Sequence, residues 1–207
     1  VAELSNFRKF QLKNIDYGND GVESLTIRIF IDILNSFIIT ESDITIEDFI
    51  NENLEKVESI NRENACNYAF ARLEVKRKNF EKALEYLAKL KLTEVNFKLY
   101  SKLLFIQIYY ELESFDSGLN AIDTLKHFLK SSKTLTTPMK KRYKVLLKII
   151  EKIYKIRLKP ENFTLLDLEI LLKENIDNSY DNFNWYHQKI ENLMSFYSKK
   201  GKFKKIA

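Results

Sequence analysis

Between Asn64 and Leu125 the chain writes one helical hairpin twice. Asn79-Phe80-Glu81-Lys82-Ala83-Leu84 returns 35 residues later as Ser114-Phe115-Asp116-Ser117-Gly118-Leu119. The register holds on both sides: Phe70 with Phe105, Leu73 with Ile108, Leu87 with Ile122, Leu90 with Leu125. A repeat of this period is the mark of an α-solenoid, in which stacked helix pairs bury the apolar faces that one pair leaves open. The expected fold is therefore all-α: a right-handed α-solenoid of antiparallel helix pairs, closed by C-terminal capping helices. A repeat of this kind constrains architecture far more than it constrains a ligand.

Composition agrees. Four glycines and two prolines in 207 residues are too few for the turns a sheet protein needs. The single cysteine, Cys66, excludes an intrachain disulfide. No apolar run reaches the roughly 18 residues of a membrane helix. No signal peptide is legible, so cytoplasmic is the default expectation; the chain opens on Val1, and a trimmed start would have removed a leader or upstream repeats. The net charge of +5 is unevenly spread. Residues 41–63 are acidic, 126–160 hold twelve basic residues against Glu151 alone, and 161–198 turn acidic again.

In chain order, residues 3–15 carry helical spacing and residues 16–21 read as a loop. That loop is a poor calcium site, because Gly18 takes a ligand position and Ile27 stands where the closing carboxylate belongs. A degenerate first helix pair is expected over 22–58, with Thr45 and Asp48 as a cap. The duplicated hairpins fill 61–92 and 95–131. A basic helix and capping helices fill 136–198, opened by Pro138 and by the Thr164/Asp167 capping pair. Residues 199–207 read as a frayed basic tail. The whole is read as one repeat domain.

The duplicated stretch resembles the tetratricopeptide repeat (TPR). That family places an aromatic at the start of its second helix, a small residue three positions on, and an apolar residue four beyond; here these are Phe80, Ala83, Leu87 and Phe115, Gly118, Ile122. The first helices depart from the pattern, with Asn67, Ala71, Glu74 and Lys102, Ile106, Tyr109 where the family favours Trp, Gly and Tyr. The repeat is therefore degenerate. Residues 54–193 are also similar to the C-terminal part of an uncharacterised bacterial family of TPR-like proteins, which implies the fold and no activity.

No catalytic or metal constellation is legible, and no cofactor is expected. His127 and His187 stand sixty residues apart without partners at ligand spacing. Cys66 reads as a small apolar core residue. Neither GxGxxG nor GxxxxGK[ST] occurs. Trp185-Tyr186 and Phe196-Tyr197 read as packing of the terminal cap. The chain is expected to be a protein–protein interaction scaffold or adaptor, not an enzyme. In a TPR-like hairpin the first helix lines the concave side, which nominates Tyr68, Arg72, Val75 and Lys76, then Leu103, Gln107, Tyr110 and Glu111, as a partner groove for an extended or helical segment with apolar anchors and some acidic character. The alternative is that Val75 and Tyr110 belong to the core. The second function reading is non-specific nucleic-acid binding. On a helix from Pro138 to Leu158, Lys141, Lys144, Lys148, Lys152 and Lys155, with Lys159 just beyond, fall within an arc of about 80°. Tyr143, Leu146, Leu147, Ile150, Ile153 and Tyr154 take the opposite side.

Overall fold

The computed structural model describes residues 25–91, 95–173 and 182–204, without the side chains at 40, 96, 182–184 and 200–204. The expectations for residues 3–15 and 16–21 lie outside them. Of the described residues 86% are helical. The only extended pairing among them is a parallel bridge between Leu25 and Val57. The protein is all-α. No helix among the described residues is long and apolar enough to cross a membrane. The chain divides into two compact units between Ser101 and Lys102.

In the first unit, α1 (Ile27–Thr40) packs on α2 (Asp43–Asn53) and on α3 (Ser59–Lys76), and α3 packs on α4 (Phe80–Ala88). The N-terminal part of α5 (Val95–Glu111) completes it. Phe30, Ile31 and Leu34 on α1 face inward, and Phe49 of α2 stacks against Phe30 and Phe37. The cap of α2 is Ser42, not Thr45. Ser42 has the extended backbone a cap requires, and its hydroxyl accepts the Thr45 amide at 3.2 Å.

In the second unit, α6 (Phe115–Ser131) packs on α7 (Thr137–Leu158), and α9 (Asn182–Lys204) packs on α8 (Leu165–Lys173) and α7. Thr136 caps α7, with Pro138 in its first turn. Thr164 and Asp167 cap α8 reciprocally, the carboxylate accepting the Thr164 amide at 2.8 Å. The expected basic tail is helical as far as Lys204.

The two hairpin turns share one backbone geometry. Lys78 and Glu113 sit at φ of 64° and 55°, the same repeat position. Asn79 donates its amide to Glu74 O and Lys78 to Val75 O; Ser114 donates to Tyr109 O and Glu113 to Tyr110 O. Both are Schellman closures, in which the left-handed residue satisfies the last carbonyls of the helix. Glycine normally takes that place, since a side chain there costs roughly 1–2 kcal/mol. Lys78 is exposed and makes no ion pair among the described residues. Lys78→Gly should therefore stabilise the protein by about 0.5–1 kcal/mol after the entropy of the unfolded glycine is counted. A thermal melt checks it; a lower melting temperature would show that the lysine side chain has a structural task of its own.

Candidate functional site

The nominated groove residues do not form an exposed face. Tyr68 and Arg72, in the first unit, are 0% and 5% exposed, and Tyr68 packs edge-on against Phe97. Lys76 donates to the Ile38 carbonyl at 2.7 Å, tying the end of α3 to the end of α1. In the second unit Leu103 and Tyr110 are buried, and Gln107 and Glu111 are half-buried. Val75 is half-buried as well. The physical reason is packing: α3 lies against three described helices, so the face that a solenoid would turn to a partner is largely covered here.

Tyr110 and Glu111 nevertheless line a cleft of about 300 Å³ in the second unit. That is the lower end of ligand-sized clefts. Three segments build it. The end of α5 and its turn supply Tyr110, Glu111 and Glu113. The end of α7 and the 3₁₀ turn after it supply Ile156, Arg157 and Pro160. One face of α9 supplies Lys189, Asn192, Leu193, Phe196 and Tyr197. The α9 residues recur every three or four positions, which places them along a single stripe.

Charge in the cleft is balanced. Lys189 pairs with Glu111 at 2.7 Å and lies 5.9 Å over the Tyr110 ring. Glu111 also accepts Trp185 Nε1 at 2.6 Å. Arg157 pairs with Glu113 and lies 5.7 Å over the Phe115 ring. Burial pushes the Tyr110 phenol well above its ordinary value, with Arg157 opposing and Glu111 and Glu113 adding to the rise. Tyr197 donates to the Pro160 carbonyl, closing one end. Trp185 and Tyr186 are the buried cap expected of the aromatic pairs, Tyr197 is half-buried, and Phe196 is 52% exposed.

The remaining candidates are placed as follows. Cys66 is half-buried beside an open hollow with Arg62, Glu63 and Lys89, and burial raises its thiol although Lys89 opposes. His127 is exposed on α6. His187 Nε2 and the Tyr186 hydroxyl share a hydrogen bond at 3.0 Å. Among the described residues, no group of three or more His, Cys, Asp or Glu is placed to hold a metal ion. On α7 the six apolar residues opposite the lysines are all buried. Lys141, Lys144, Lys148 and Lys155 are exposed, and Lys152 is half-buried.

No family model, curated protein or solved structure matches the chain.

The cleft is not legible in the sequence, because its walls come from positions 110–113, 156–160 and 189–197. The one local signal is the α9 stripe itself, and helical spacing puts Phe196 on the same side as the buried Trp185 and Leu193, so nothing in the sequence marks it as exposed.

Proposed function

We propose that this chain is a protein-interaction module, a scaffold or adaptor of TPR-like type, that holds a partner segment in the cleft of the second unit. The finer architecture in this reading is a right-handed α-solenoid; the matching Schellman turns 35 residues apart support it. The observation that carries the function is the lining of the cleft. An exposed phenylalanine and Leu193 offer an apolar seat. Asn192 offers amide hydrogen bonds, and the two ion pairs leave the site without net charge. Aromatic anchors ringed by satisfied polar groups are the usual anatomy of a protein contact. A neutral cleft favours a segment with an apolar or aromatic anchor over a strongly charged one.

Selection of random displayed peptides on the full chain should enrich sequences sharing one large apolar anchor. Phe196→Asp should weaken their binding at least about tenfold, the scale of a modest hot spot. Its melting temperature should stay close to that of the parent, since Phe196 is half in solvent. Absence of enrichment, or peptides that bind the variant equally well, would contradict the proposal.

A further inference from the structure

We infer that the exposed lysine face of α7 is a second binding surface, separate from the cleft, that takes the phosphate backbone of double-stranded nucleic acid without reading its sequence. The starting point is compensation. Residues 126–160 contain one carboxylate, Glu151, and it is already engaged by Lys126 and Lys155, each at 2.9 Å. Lys152 lies within the electrostatic reach of Asp167. Lys141, Lys144 and Lys148 are left exposed, with no ion pair among the described residues. They point to one side of a helix whose other side is core, so the face is rigidly presented.

Their spacing suits a duplex. At 1.5 Å per residue, Lys141 and Lys148 are separated by about 10 Å along α7. One strand of a duplex presents a phosphate roughly every 3.4 Å of axis, so about three phosphates face three lysines. The face lacks what other modes of recognition need. Tyr143 and Tyr154 are buried, so no aromatic on α7 is open to stack on the bases of a single strand. Arg157 is committed to Glu113 and Arg142 is half-buried, so the other exposed basic residues of α7 are lysines, which bind phosphate as point charges.

The test is fluorescence anisotropy of the full chain with two labelled DNA duplexes of unrelated sequence. Both should bind equally. Three neutralised phosphates give a slope of about −2.7 in log affinity against log salt, so affinity should fall about forty-fold between roughly 50 and 200 mM salt. The triple variant Lys141→Glu, Lys144→Glu, Lys148→Glu should lose binding while its helical circular dichroism and melt are kept. Phe196→Asp should bind DNA normally, which separates this surface from the cleft. No binding at low salt, or binding that survives the triple reversal, overturns the inference. Binding of poly-glutamate without binding of duplex also overturns it, in favour of an acidic protein partner.

Discussion

Glu74→Ala should cost the first unit about 3 kcal/mol. Glu74 is 1% exposed, near the end of α3. Its carboxylate receives Asn79 Nδ2 at 2.7 Å, Lys82 Nζ at 3.1 Å and Arg77 Nη1 at 3.3 Å. Arg77 continues to Glu47 at 2.5 Å and Asp43 at 3.6 Å, so one carboxylate ties the hairpin turn to α2. Removing one member of a buried ionic network typically costs 3–5 kcal/mol; Lys82 and Arg77 reach solvent and recover part of that, which places the expectation at the low end. The effect depends on pH. Burial raises the Glu74 carboxyl, but the hydrogen bonds from Asn79, Lys82 and Arg77 outweigh it and hold the group below the usual carboxylate value. A carboxyl depressed in the folded state stabilises above its unfolded pKa of about 4.3, and that stability is lost as pH falls through the folded value. The gap in melting temperature between the parent and Glu74→Gln should therefore begin to close as pH falls below about 5 and go on closing as it passes the depressed folded value. A gap that stays constant with pH would show that shape, not charge, is what Glu74 provides.

Gly118→Ala is the second large effect, and its sign runs against helix propensity. In an isolated helix the change would gain about 1 kcal/mol. Here a Cβ at Gly118 would overlap the ring of Tyr154 on α7. That ring has nowhere to go. It is fully buried, its hydroxyl donates to the Ile106 carbonyl at 2.5 Å, and it meets Tyr110 and Phe115 edge-on at 5.2 and 5.9 Å. Overpacking of this kind costs about 1–3 kcal/mol, and with so constrained a ring we expect a net loss of about 2 kcal/mol. The contact is isolated by a double-mutant cycle. Tyr154→Leu destabilises by itself because it leaves a cavity, but in that background Gly118→Ala should become neutral or stabilising. If Gly118→Ala stabilises the parent protein, the close approach of α6 and α7 is not as described.

These two residues show where the sequence is legible and where it is not. Apolar periodicity places the helices, because burial of one face is what holds a helix in a small domain. Thr164 with Asp167, and Pro138, mark helix starts through local chemistry, and local chemistry can be read locally. Gly118 is visible as a small residue in a repeat, but what fills the space is a tyrosine 36 residues away. Glu74 looks like any surface carboxylate until the turn folds Asn79 and Lys82 over it. The turns themselves are disguised, since Lys78 and Glu113 stand where glycine would announce a left-handed residue. The groove failed for a related reason. Helical spacing says which residues share a face, and only the neighbouring helices decide whether that face meets solvent. Tyr68 meets Phe97 of α5 and Arg72 is buried, whereas Phe196, which looks like packing, is open.

The central claim is that the cleft formed by the ends of α5 and α7 and one face of α9 seats a partner segment. The most direct measurement is an amide NMR titration of the full chain with a peptide recovered by selection. The largest shifts should fall on residues 110–113, 156–160 and 189–197, and Phe196→Asp should erase them. Shifts concentrated elsewhere, on α3 or along the lysine face of α7, would contradict it.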